Sequence, residues 1–273
     1  MVQFASSHDF GPDKEPNTDI TSTIDLKGVD LPVVRKGSGQ QILILHGGDG
    51  PIDRFPFADR LAEQFEIIQP VHPGFGGSPI PEHFDNLQDL IFLYLDLIDH
   101  LDLTDAILMG FSMGGWAAAE LAVINTQRFS KLVLVDSVGV KVGGPFDRDI
   151  ADVFAIAPAE LTGISWHDPS KAPNPSDMTD DELQIFASDR IAHGLYTWEP
   201  YMHNPKLPHR LHRIDIPTLL IWGENDGVVF PSYGEAFRDM IPGADMVVIP
   251  NAGHSPHVEQ PAAFVEHFIR FAS

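Results

Sequence analysis

One serine in this chain sits where a nucleophile could be made. In Gly110-Phe111-Ser112-Met113-Gly114 it lies between glycines, after the apolar run "AILM" and before the alanine-rich run "GGWAAAELAV". An apolar run followed by an alanine-rich one reads as a strand passing into a helix. A sharp turn there strains the serine backbone and pushes its hydroxyl outward, and the residues around it must be small because the helix start passes close to the strand. Gly110, Gly114 and Gly115 meet that demand. A serine is a weak nucleophile by itself and needs a base that an acid holds in place. Downstream, "IWGENDGVV" leaves Asp226 in a loop after a strand, and "IPNAGHSPH" leaves His254 in the loop after the next. The order is serine, aspartate, histidine.

Other groups compete for these roles. His257 lies three residues beyond His254, and Asp136 ends the strand "KLVLVDS". Glu224 is expected to bond locally in its loop. His46 is expected to fix its loop through backbone hydrogen bonds. Asp49, in "HGGDG", is expected to face away from the reacting groups. His209 and His212 have no carboxylate or third histidine at a metal-binding spacing, so no metal site is expected.

The elements that must position these groups are legible as a pattern. Residues 41–48, 65–70, 106–110, 131–140, 217–223 and 244–250 are continuous apolar runs, and several end in Gly/Pro loops. Between them, "DNLQDLIFLYLDLIDHL" repeats apolar residues at helical spacing, and "QPAAFVEHFIRF" opens with Pro261 and lines Phe264, Val265, Phe268 and Phe271 on one face. "SYGEAFRDMI" offers a capping box from Ser232 to Glu235. Such alternation predicts a mostly parallel sheet with helices on both faces, whose loops gather at one edge. It breaks over residues 141–213, which read as a helical insertion. There Thr179 and Glu182 form a capping box and Gly194 marks a helix end. Residues 1–18, polar and rich in Pro and Asp, read as a loose arm.

With "HGGDG", "HPGFGGS", "GFSMGG" and "GEND…GHSPHVEQP" together, the chain resembles α/β-hydrolase fold proteins. The resemblance implies an eight-stranded, mostly parallel α/β sheet. The core would be residues 19–140 and 214–273, and residues 141–213 a helical cap. It implies Ser112 as nucleophile, His254 as base and Asp226 as acid, with the backbone N–H groups of Gly48 and Met113 as an oxyanion hole. Phe111, Trp166, Arg190 and Trp198 are the expected substrate contacts. The expected chemistry is hydrolysis of a small-molecule carboxylic ester through an acyl-enzyme, with no cofactor. The cap aromatics suggest an apolar or aromatic acyl group. Alternatives are C–C bond hydrolysis of a ring-cleavage diketone, with Arg190 on a substrate carboxylate, and a weakly catalytic ligand-binding protein. Against the diketone, Gly-His-Ser stands at 253–255 where such enzymes usually carry Gly-His-Trp.

Bulk properties bound the partners. A net charge of -22 argues against nucleic acid. The absence of cysteine removes thiolate chemistry and disulfides. The N-terminus lacks the basic start and apolar core of a secretory signal, and no run approaches a membrane span, so no membrane partner and a cytoplasmic location are expected.

Overall fold

The computed structural model describes residues 20–51, 56–144 and 146–273. The expected N-terminal arm lies outside them. Eight strands form one sheet in the order β1-β2-β4-β3-β5-β6-β7-β8. These are β1 (Ile20–Leu26), β2 (Val29–Gly37), β3 (Gln40–Leu45), β4 (Phe65–Pro70), β5 (Ala106–Phe111), β6 (Phe129–Val135), β7 (Thr218–Gly223) and β8 (Asp245–Ile249). From β4 to β8 every neighbouring pair is parallel, whereas β2 runs antiparallel to both β1 and β4. The loops after β3 to β8 therefore open on one edge.

Alternation along each central strand divides the core in two. Ile42 and Ile44 of β3, Ile107 and Met109 of β5, and Val133 and Val135 of β6 pack on α1 (Pro56–Ala62) and α8 (Pro261–Ala272). Leu43 and Leu45, Leu108, and Leu132 and Leu134 face the other way. They meet α2 (Leu87–His100), α3 (Met113–Ile124) and α6 (Pro231–Asp239). The predicted stripe on α2 is buried from Leu87 to Ile98, and Asn86 closes a capping box with Asp89. On α8, Phe264, Val265 and Phe268 are buried, and Phe264 meets Phe57 edge to face at 5.2 Å.

Between β6 and β7 the chain leaves the sheet and forms α4 (Pro158–Ser165) and α5 (Asp180–Thr197), with short 3-10 turns around them. The Thr179–Glu182 capping box forms as expected. Two local expectations do not hold. Gly194 lies inside α5, which continues to Thr197. Ser232 caps nothing: Pro231 is already the first residue of α6, with Phe230 at the N-cap and no side-chain cap. Proline is pre-set for that first position, so the helix starts one residue before the serine.

Candidate active site

Ser112 joins β5 to α3 with φ 50 and ψ -115, a left-handed conformation that costs energy for a residue with a Cβ. Its surroundings hold it there. The Ser112 N–H donates to the Val135 carbonyl at 2.9 Å, and Gly115 donates to the Ser112 carbonyl at 3.0 Å. Glycine at 110 and 114 is a packing requirement. A Cβ at Gly114 would land on the carbonyl oxygens of Leu45 and His46, and one at Gly110 would land on the carbonyl of Gly114.

His254 Nε2 lies 2.9 Å from Ser112 Oγ, and His254 Nδ1 lies 2.8 Å from Asp226 Oδ2. A carboxylate only accepts, so the imidazole proton sits on Nδ1 and leaves Nε2 free to accept from the serine hydroxyl. Asp226 is fixed from behind. Its Oδ1 accepts from Val228 N at 2.8 Å and Val229 N at 3.1 Å. Burial alone would lower the His254 pKa, but the charge and hydrogen bond of Asp226, joined by the charge of Asp49, raise it above the ordinary value.

The insertion contributes to this arrangement. Gly227 N donates to Ile164 O at 2.9 Å, and His254 N donates to Ser165 O at 2.7 Å, so the end of α4 pins the loops of both Asp226 and His254. Glu259, in the short helix α7 (Pro256–Glu259), is buried and draws the same parts together. Its carboxylate accepts from Gly253 N at 2.6 Å, Asp168 N at 2.8 Å and His167 N at 3.2 Å. The sequence gives no local sign of Glu259's part, because its partners are backbone amides, and two of the three lie more than 80 residues away in the insertion.

Asp136 and His257 are near the relay without joining it. Asp136 Oδ1 accepts from Gly223 N at 2.9 Å, while its buried Oδ2 finds no donor among the described residues. Burial, together with the charge of Asp226, pushes the Asp136 carboxyl well above the usual carboxylate range. His257 packs against Phe111 and Phe57, with ring centroids 4.5 and 5.2 Å apart, and burial lowers its pKa to about 3. Among the described residues, Asp136, Asp226 and His254 are the only grouping with a metal-ligand arrangement, and two of the three are committed to the relay. His209 and His212 are exposed, and Glu224 accepts from Asn251 N across neighbouring loops.

The loop after β3 forms the opposite wall. His46 Nδ1 meets the Gly47 carbonyl at 2.8 Å, and His46 Nε2 accepts from His72 N at 3.0 Å. The two imidazoles stack at 3.6 Å, and His72 also bonds the Tyr94 hydroxyl. Burial lowers both histidines, His72 to about 4, so they stay neutral. Gly47 abuts the Ser112 side chain, and the Gly48 and Met113 N–H groups have no acceptor among the described residues.

These walls border a cavity of about 290 Å³. Ser112 and His254 open into it, as do Gly48, Phe111, Trp166 and Arg190. Two expectations are overturned here. Trp198 is 59% exposed, does not line the cavity, and packs on Phe154 and Tyr201 instead. Asp49 does not face away: it lines the cavity and acts electrostatically on His254. Sequence reading also missed His193 of α5, whose ring covers the spot a Cβ at Gly48 would fill. Burial and the nearby Arg190, His254 and His72 lower its pKa to about 3. A helical histidine with no partner in sequence gave no signal of that contact.

The family model of the alpha/beta hydrolase family matches residues 42–267. The chain belongs to this family. A putative 2-succinyl-6-hydroxy-2,4-cyclohexadiene-1-carboxylate synthase of Bacillus subtilis is 28% identical over 87% of this chain and 92% of its own. A 2-hydroxy-6-oxononadienedioate/2-hydroxy-6-oxononatrienedioate hydrolase of Cupriavidus pinatubonensis is also 28% identical, over 86% of this chain and 88% of its own. Among solved structures, a bacterial membrane phospholipase A superposes with a TM-score of 0.78 at 22% identity, over 93% of this chain and 86% of that one. At that identity the likeness speaks for the fold alone. Among the described residues, no helix is long and apolar enough to cross a membrane.

Proposed function

We propose that this family member is a serine hydrolase that cleaves a small-molecule carboxylic ester through an acyl-enzyme. The observation that carries this reading is the relay Ser112–His254–Asp226, with links of 2.9 and 2.8 Å, opening into a cavity. His254 Nε2 takes the hydroxyl proton as Ser112 Oγ attacks the carbonyl carbon. Asp226 holds the tautomer and stabilises the imidazolium. The oxyanion rests on the Gly48 and Met113 N–H groups, each worth about 3 to 4 kcal/mol at the transition state. The imidazolium then protonates the leaving alcohol. Water, deprotonated by His254, attacks the acyl-enzyme and releases the acid. The α4–α5 insertion acts as a cap that roofs the cavity, and Phe111, Trp166 and Arg190 form part of its substrate-facing wall. No step calls on a cofactor.

A second reading, C–C bond hydrolysis of a diketone acid, draws support from the Cupriavidus relative and from Arg190 in the cavity wall. Against it, the Arg190 guanidinium donates to the Val153 carbonyl at 2.7 Å and lies 5.2 Å over the Phe154 ring, so it is already engaged. Turnover of aryl and alkyl esters of graded length, run beside a ring-cleavage diketone acid, decides between them. Ester turnover that vanishes in Ser112→Ala supports the first reading, and turnover of the diketone alone supports the second. Retained esterase activity in Ser112→Ala removes the first.

A further inference from the structure

Gly48 supplies one of the two oxyanion donors in the reading above, and the direction of its amide is fixed by the peptide before it. The Gly47 carbonyl accepts from His46 Nδ1 at 2.8 Å and from Gly50 N at 3.3 Å. In a trans peptide the C=O and the following N–H point in opposite directions. Holding the Gly47 oxygen on the His46 side therefore turns the Gly48 N–H to the other side, and both glycines line the cavity. Gly47 also lies against the nucleophile: a Cβ built on it would meet Ser112 Cβ at 3.2 Å.

The protons behind this contact have fixed places. His46 Nε2 accepts from the His72 backbone N–H at 3.0 Å, so it carries no proton. The His46 proton is on Nδ1 and is donated to Gly47. His72 Nε2 lies 2.8 Å from the His46 carbonyl, which only accepts, so the His72 proton is on Nε2. Burial keeps that ring neutral, so His72 Nδ1 offers a lone pair, and the Tyr94 hydroxyl of α2 donates to it. Every bond thus runs one way, from α2 to the loop after β3. His46, His72 and Tyr94 have no exposed surface, so water does not compete for these bonds. A group of buried polar side chains is worth little for stability beside apolar side chains of the same shape. What it adds is direction, since each member fixes the orientation of the next.

We propose that His72 and Tyr94 are positioning residues for the oxyanion hole: through His46 they hold the Gly47–Gly48 peptide so that the Gly48 N–H faces the developing oxyanion. This rests on the serine-hydrolase reading above and names what aims one of its donors. Neither residue lines the cavity, so both act through the peptide and not on the substrate. The chain also polarises that peptide, because a donor at the Gly47 oxygen strengthens the Gly48 N–H as a donor in turn.

An ester and its thiono analogue, in which sulfur replaces only the carbonyl oxygen, test this. Sulfur is a weak acceptor, so the ratio of their kcat/KM values reports the oxyanion donors, while attack by Ser112 and proton transfer by His254 are common to both. In Tyr94→Phe, kcat for the ester should fall about three- to tenfold with KM little changed, the worth of one neutral hydrogen bond. The thionoester should lose less, so the ratio shrinks. His72→Leu should shrink it further, and His72→Gln, which keeps a donor for the His46 carbonyl, should restore part of it. If His72→Leu does not fold, Tyr94→Phe, which keeps the shape, carries the test. An unchanged ratio in Tyr94→Phe overturns the proposal, whether both rates fall together or neither falls. If the wild type turns over neither compound, or both alike, the hydrolase reading or its oxyanion hole fails by itself. Amide NMR spectra then judge the positioning role. Tyr94→Phe should shift the Gly48 amide and the His46 Nδ1–H signals and leave the Met113 amide in place, and an unmoved Gly48 amide overturns it.

Discussion

Asp136→Asn tests the electrostatics of the relay. The ligating atoms of Asp136, Asp226 and His254 lie within 4.8 Å of one another. Asp226 has two backbone donors and the imidazole, whereas Asp136 has one backbone donor and an unpaired oxygen beside another carboxylate. Two carboxylate oxygens can meet favourably only through a proton, and the group with fewer donors keeps it. Asp136 is thus a neutral acid beside Asp226, in line with the upward push on its pKa. Were it ionised, its charge would stabilise the His254 imidazolium by about 3.5 kcal/mol at an effective dielectric constant near 20, or about 2.5 pH units. Asparagine keeps the shape and can still donate to Asp226. The other charges acting on the imidazole, Asp226 and Asp49, are untouched, and burial keeps His193 and His257 neutral in both proteins. The assay is kcat/KM for an ester substrate from about pH 4 to 9, where the acid limb reports His254 in the free enzyme. In Asp136→Asn that limb should stay within about half a pH unit of wild type. A downward move of about two units shows an ionised Asp136 and refutes the assignment of the proton.

Other outcomes follow from the same geometry. In the wild type the acid limb of kcat/KM should lie above the ordinary histidine value of 6.5, since Asp226 and Asp49 raise His254; activity falls as pH drops through it, and Asp49→Asn should move it down. Asp226→Asn should cut kcat by about 10⁴ with little change in the melting temperature, because it leaves the imidazole in the wrong tautomer; steady-state kinetics and a melt check both. Gly114→Ala should destabilise the protein by about 3 kcal/mol or more in denaturant unfolding, because the new Cβ strikes the backbone of β3, which cannot swing aside. Glu259→Ala strips the acceptor from three backbone amides and should cost about 3 kcal/mol. It should also lower kcat more than it raises KM, since it frees the His254 loop, and equal kcat in the variant would argue against that role.

What could be read from the sequence was local. The serine turn shows itself because sterics there leave only glycine at 110 and 114, and the strands from β3 onward show themselves as mainly apolar runs. Strands β1 and β2 mix polar with apolar residues around a turn at Gly28 and carry no such signal. The Ser232 capping box was misread because a proline next to it outranks it as a helix start. Gly194 ends nothing because tertiary contacts of α5 carry the helix past it. The site's less obvious parts are long-range. The glycines on either side of Asp49 lie against α5, with His193 over Gly48 and Asp189 against Gly50. Likewise, which cap aromatics line the cavity depends on how the insertion folds back. Trp166 borders the loop of His254 and lines the cavity, whereas Trp198, just past α5, faces outward.

The central claim is that His254 and Asp226 make Ser112 a nucleophile. Covalent labelling by a fluorophosphonate, read by intact mass and peptide mapping, tests it most directly. One adduct is expected, on the peptide containing Ser112, forming slowly or not at all in His254→Ala and absent in Ser112→Ala. An unlabelled wild type, or an adduct that forms at the same rate without His254, would contradict it.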